Sequence, residues 1–389
     1  MTGMQQAPPV RKSLGLVELV SLGVGGTIGS GIFVVPGVAA GIAGPASLLA
    51  WLIVAVSASC VIVSLAGISS QFGKTGSFFG LFSSVFGDRT ALAVTLLYLV
   101  SSAFGVATIA AGIGQYLNYL GQGSVLLTEL LVIAVFCAIN VIGISLSATT
   151  ENVLTVLKAV PLVIIALLLL PHIRPENFMM NAGLSASSLI ATVIIVYWPF
   201  TGFEISAIPV EETKDISLIR RSLFLVMAIV TFVYILLNIA LIGSAGSAAL
   251  AASPAPVAEA AGLILPLAGP VVAGIGIIAM LSALNAYIIA TSRVLWNISA
   301  RYSIPGLSGR GRCGTPSGAI VLSCAACAGL LFVTNRFDAL ASISVVTTLV
   351  PYIFFCLCSY ITITAVRSRA VAVLGAVSTG AILFLFFIV

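Results

Sequence analysis

The residues best able to do chemistry lie in the middle of long apolar stretches. Gly23-Val24-Gly25-Gly26-Thr27-Ile28-Gly29-Ser30-Gly31 places five glycines in nine residues, a composition that a helix will hardly survive. Trp198-Pro199-Phe200-Thr201-Gly202 repeats the interruption further along the chain. An unwound backbone presents amides where a half-helix begins and carbonyls where the other ends; the first attract an anion, the second a cation. A half-helix opening near Ser30 suits a carboxylate, the carbonyls facing it suit an ammonium, and an amino acid carries both groups. Lys158 and Glu204 add two ionisable groups inside apolar sequence. Charge buried in a membrane is costly, and its usual warrant is function.

These residues need elements that bring them to one depth. Of 389 residues, 60% are hydrophobic and 7% charged, against roughly 25% charged in a soluble domain. The apolar residues come in blocks of about 18 to 28, and a bilayer core roughly 30 Å thick needs about 20 residues of helix. Spans are expected near Leu16 to Ala43, Pro45 to Ala66, Ala91 to Leu120, Val125 to Ile144 and Val153 to Leu170. A second set follows near Ser187 to Ile208, Ser222 to Ser244, Leu265 to Ser299, Ser317 to Val333, Leu340 to Val366 and Val371 to Val389. The first block is too long and too interrupted by glycine for a cleaved leader, and is read as a retained span.

The interruptions fall in the first and sixth spans, as in transporters built from inverted repeats. The expected fold is an all-α membrane protein of about eleven transmembrane helices, with two inverted five-helix repeats whose first and sixth helices are broken. A single transport domain covers 1–389, with repeats at 15–170 and 187–366 and an extra C-terminal helix at 371–389. Lys and Arg are retained on the cytoplasmic side. With the N-terminus inside, Arg11, Lys12, Lys74, Arg89, Lys214, Arg310, Arg312 and most other basic residues fall inside, against Arg174 and Arg336 outside. The net charge of +5 is thus a topology signal and not a nucleic-acid patch.

Other chemistries find little support. The cysteines lie mostly in apolar helices, where they behave as small hydrophobes, and Cys324-x-x-Cys327 lacks the second pair or histidine of a metal site. Cys313 is expected to face a reducing compartment. An enzyme needs a nucleophile with its base, a carboxylate pair or a metal set, and His172, in an outer loop, has no such company. Glu151 at the start of the fifth span is explained by helix-terminus electrostatics. No metal or cofactor is implied. The glycine run lacks the strand and acidic residue of a dinucleotide site, although close helix packing remains an alternative for it.

GGTIGSGIF, Gly25 to Phe33, resembles the first-helix signature of the amino acid, polyamine and organocation transporter superfamily, and the resemblance extends over nearly the whole chain. Phe200-Thr201-Gly202-Phe203-Glu204 with Glu211-Glu212-Thr213-Lys214 resembles the sixth helix and its loop, and Leu284-Asn285-Ala286 to Ser292-Arg293 the eighth helix. Ser344 to Tyr352 is similar to the tenth helix of the basic amino acid and polyamine antiporters. Asp215-Ile216 departs from the usual Asn-Pro, Thr75-Gly76-Ser77-Phe78 from Gly-Gly-x-Tyr, and members commonly have twelve spans.

The resemblance implies a LeuT-like fold and roles residue by residue. Amides around Gly29, Ser30 and Gly31 would hold a substrate carboxylate, and carbonyls near Thr27, Trp198 and Thr201 its amine, with Trp198 as an aromatic cover. Ser101, Ser102, Tyr287 and Ser344 would line the side-chain pocket, each aromatic being otherwise ordinary packing. Lys158 would stand where sodium-coupled relatives bind an ion; an interfacial lysine reaching toward the cytoplasm is the alternative. Glu204 is the candidate pH-sensitive group. The implied function is sodium-independent transport or exchange of amino acids across the cell membrane, with basic amino acids or polyamines preferred. Proton-linked movement of neutral amino acids and a non-transporting sensor are the alternatives, and the oligomeric state stays open.

Overall fold

The computed structural model describes residues 14–75, 78–121, 124–143, 148–179, 185–207, 213–311 and 313–388. The first expected span is two helices, α1 (Leu16–Thr27) and α2 (Ser30–Ala43), followed by α3 (Ser47–Thr75), the short α4 (Phe78–Phe86), α5 (Asp88–Tyr119), α6 (Val125–Ile142) and α7 (Ala148–Leu169). The second set opens with α8 (Ala186–Tyr197), which passes into tight 3-10 turns at Trp198–Phe200 and Phe203–Ala207. Then come α9 (Ser217–Ala245), the short α10 (Ser247–Ala252) and α11 (Pro256–Ala261), α12 (Ala268–Arg301), α13 (Ser317–Val333), α14 (Phe337–Thr362) and α15 (Val366–Phe386). Among the described residues nine stretches are long and apolar enough to cross a membrane. One of them, Leu16–Ser69, holds two crossings, and the 17-residue Ser317–Val333 adds another. About eleven crossings result, and this is a multi-pass membrane protein.

The helix contacts repeat with a shift of five spans. α1 packs on α9 as α8 packs on α3; α1 meets α7 as α8 meets α14; α5 meets α14 as α12 meets α7. The outer elements obey the same rule, with α5 on α6 matched by α12 on α13 and α5 on α13 matched by α12 on α6. α3 with α9 and α6 with α13 are contacts of an element with its own counterpart. An inverted repeat requires this pattern.

Apolar residues run all round most of these helices, so burial is decided by position in the bundle and not by an amphipathic face. α8 is buried over most of its C-terminal half, whereas α6 buries only Glu129, Ile133 and Asn140. Inside the bundle, small residues let backbones approach and polar side chains bond between or back onto helices. Asn140 Nδ2 of α6 donates to Asn285 Oδ1 of α12 at 2.8 Å, and Tyr116 of α5 donates to Phe33 O of α2 at 2.7 Å. At one end of the bundle α4 lays Phe78 and Phe82 on Phe355 of α14, and Arg301 at the end of α12 pairs with Asp88 at the start of α5 at 2.8 Å. Leu14, two residues before α1, and the loop after the sixth span are joined, Lys214 N donating to Leu14 O at 2.9 Å.

The sequence reading missed α4, α10 and α11, which are too short to announce themselves. It also drew several helices short: α3 runs on to Thr75 and α9 begins at Ser217. Of the calls above, Arg11, Lys12, Gly76, Ser77, Glu211, Glu212, Arg312 and the side chains of Lys74, Thr75 and Glu151 lie outside the described residues.

Candidate functional site

The first break is short. α1 ends at Thr27, Ile28 is extended, Gly29 lies outside the helical region, and α2 starts at Ser30. Thr27 Oγ1 turns back to Gly23 O at 2.7 Å, and Gly29 N donates to Thr27 O at 3.1 Å. The first amides of α2 have no partner within their own helix, and they point into the gap with the positive end of its dipole. The second break is longer. Pro199 cannot donate a backbone hydrogen bond, Thr201 is extended, and Gly202 sits at φ +94°, a conformation that side chains other than glycine rarely adopt.

The two breaks touch backbone to backbone. A Cβ on Gly31 would lie 2.5 Å from Pro199 Cα, and one on Gly202 would lie 2.7 Å from Gly26 O. Trp198 closes the gap from the side. Its Nε1 donates to Ser30 Oγ at 3.2 Å, its ring lies 6.0 Å from that of Tyr287, and both rings rest against Gly105 of α5. Thr201 Oγ1 donates to Trp198 O at 2.8 Å and lies 3.3 Å from the Tyr287 hydroxyl. Thr27, Gly29, Ser30, Gly31, Trp198, Thr201 and Tyr287 thus converge on one buried point.

Ser101 and Ser344 spend their hydroxyls on each other's helices. Ser101 Oγ donates to Ser344 O at 3.0 Å, Ser344 Oγ donates to Ser101 O at 2.9 Å, and Thr348 adds a further hydroxyl to the pair. Ser102 Oγ bonds back to Tyr98 O at 2.8 Å. Ser101, Ser344 and Thr348 thus join α5 to α14.

Lys158 is 1% exposed and points inward from α7. Its Nζ donates to Gly25 O at 2.7 Å and Ser282 Oγ at 3.1 Å, so one ammonium joins α1, α7 and α12. A snorkelling lysine would do neither. Glu204, 3% exposed, accepts from the Gly202 amide at 3.1 Å, Tyr352 at 2.8 Å and Tyr98 at 3.3 Å. Its carboxylate thereby fastens the second break to α5 and α14.

Tyr234 of α9, which the sequence did not single out, belongs to the same site. Its hydroxyl lies 2.9 Å from Thr27 O and 3.0 Å from Pro199 O, one carbonyl from each break. Its ring is wedged edge-on between Trp51 and Phe200. Gly105 and Gly112 were missed too; the latter faces the Ser30 Cβ from α5. A tyrosine or glycine in an apolar helix gives no local sign of a contact so distant along the chain.

Two touching helix breaks inside a five-span inverted repeat define the LeuT-like class of membrane transporters. The structure of MhsT in complex with L-phenylalanine shares the fold, with a TM-score of 0.73 over 97% of this chain and 99% of that one at 14% identity. A family model described as amino acid permease matches residues 14–389. The chain therefore belongs to the amino acid permease family, within the superfamily that its motifs resemble. Among its relatives is the inner membrane transport protein YbaT of Escherichia coli (strain K12), 27% identical over 306 residues, which are 76% of this chain and 71% of that protein. The branched-chain amino acid permease BcaP of Bacillus subtilis (strain 168) is 22% identical, covering 76% and 69%. The serine/threonine exchanger SteT of the same organism is 26% identical, covering 76% and 70%.

Proposed function

We propose that this permease moves neutral amino acids by alternating access without sodium. One observation carries the choice of side chain. The acidic group nearest the breaks, Glu204, already accepts from Gly202, Tyr98 and Tyr352, and the walls named above are serine, glycine and aromatic side chains. Among the described residues at the breaks, an ammonium or guanidinium on the substrate would find only a carboxylate already engaged, whereas a small or apolar side chain leaves no charge uncompensated. The names of BcaP and SteT agree with this reading. Basic amino acids and polyamines, favoured by the likeness of the tenth span, are the second reading, since ring faces and carbonyls can also hold a cation.

The substrate carboxylate sits on the amides of Gly29, Ser30 and Gly31, and its ammonium on carbonyls at Thr27, Trp198 and Thr201. Trp198 covers it, and Ser101, Ser102, Tyr287 and Ser344 bound the space for its side chain. Lys158 stands in for a cation at the first break, the support being its two short bonds to Gly25 and Ser282. Residues 15–170 and 187–366 act as the two repeats, with 371–389 outside them, and the chain sits in the cell membrane with its N-terminus inside. Counterflow of labelled amino acids in proteoliposomes tests the function. Neutral amino acids should exchange, at a rate indifferent to replacing sodium by choline. Exchange confined to arginine, lysine or polyamines would install the second reading, and binding without exchange would make the protein a sensor.

A further inference from the structure

Among the described residues three ionisable side chains that carry charge in water are buried: Lys158, Glu204 and Glu129. The first two reach several partners each. Glu129, on α6, is 0% exposed, and neither of its carboxyl oxygens has a hydrogen-bond partner among the described residues. It shares the one buried face of α6 with Ile133 and Asn140. Gly114 of α5 makes the room for it: Glu129 Oε1 lies 2.8 Å and its Cγ 3.0 Å from where a Cβ on Gly114 would stand, with Val125 Cγ1 also at 2.8 Å. The carboxyl thus fills the place of a side chain that α5 omits.

The helices packed on α6 are α5, α13 and α12, and they bring this carboxyl no charge to meet. Beyond Gly114, α5 carries Tyr116, whose hydroxyl is spent on Phe33 O, and Tyr119, whose hydroxyl lies toward Gly269 of α12. α13 brings only the thiols of Cys324 and Cys327, and α6 itself the thiol of Cys137. α12 carries no titratable side chain before Tyr287, whose ring lies at the breaks. The arginines of α5 and α12 belong to the other end of the bundle, where Arg301 pairs with Asp88; from Arg89 to Gly114 is about 37 Å of helix. An ionised carboxylate closed off from water with neither cation nor donor is far costlier than the neutral acid. We propose that Glu129 is a proton-binding site, a neutral carboxylic acid whose proton keeps the seam between α5 and α6 closed. Releasing that proton puts a charge between two apolar helices, which water entering the seam or separation of α6 from α5 must relieve. Gly112, on the opposite face of α5, lies against the Ser30 Cβ, so the proton sits behind the helix on which the first break is seated.

Infrared spectra and thermal melts of the full-length protein, wild type against Glu129→Gln, test the site without reference to transport. At neutral pH wild type should show a carboxylic acid C=O stretch, shifted in D2O, that the variant lacks. Raising the pH into the alkaline range should then lower the melting temperature of wild type relative to the variant, since only wild type has a charge to create in the seam. The tyrosines and thiols named above titrate alike in both proteins and cancel in the comparison. Glu129→Gln and Glu129→Leu should both melt no lower than wild type at neutral pH, because neither removes a partner from anything; if the first fails to fold, the second serves as the reference. Absence of the acid band overturns the proposal, as do melting temperatures that keep a constant separation as the pH rises. Failure of both variants to fold would show that the seam needs the charged form, and overturns it too.

Discussion

At the scale of single residues, Lys158 has the most to lose. Lys158→Ala leaves Gly25 O and Ser282 Oγ buried without their donor, an expected loss of about 1–3 kcal/mol, and net transport should fall with it. Thermal melts read the first effect and uptake the second. Retained substrate binding in that variant marks a coupling role, and a pH profile of uptake that survives Lys158→Gln marks a fixed charge that never takes part in proton movement. Gly31→Leu should insert into the membrane yet bind no substrate, because its side chain would have to occupy the place of Pro199; Trp198→Ala should weaken binding less. Wild-type uptake in Gly31→Leu would move the site elsewhere. Lys158, Glu204 and both glycine breaks were visible in the sequence because each violates what an apolar helix should contain. Tyr234 was not, since a tyrosine violates nothing there and its two acceptors lie far away along the chain.

At the scale of elements, the membrane spans were legible because length and apolarity decide them. Short helices were not: α4 owes its place to aromatic packing on α14, which only the folded chain brings about. The pairing of α6 with α12 was equally hidden, and it offers a test. Asn140→Leu or Asn285→Leu alone should destabilise the protein, while the double variant should cost less than the sum, with a coupling of about 0.5–2 kcal/mol. A denaturation cycle on the four proteins measures it, and strict additivity would show that the 2.8 Å bond between these side chains contributes no stability.

At the scale of the whole molecule, the inverted repeat makes the sidedness of the loops a test, the basic ones being expected inside. Cysteines introduced at Lys214 and Arg174 should be labelled from opposite sides of the membrane, the first from inside. Labelling of both from one side would remove the inverted architecture on which the proposed transport cycle depends. The symmetry itself was inferred from two interrupted spans and is carried in the structure by the repeated helix contacts. Its finest detail, the touch of Gly31 on Pro199 and of Gly202 on Gly26, has a consequence for how such a protein can change over generations. Gly202 meets the main chain at Gly26 O, so a side chain gained there cannot be accommodated by a compensating substitution at Gly26, whereas Gly31 also meets the Pro199 ring. If the substrate binds at the breaks as proposed, its side-chain walls could change while this main-chain junction is kept, and a new cargo would not require rebuilding the machine that moves it.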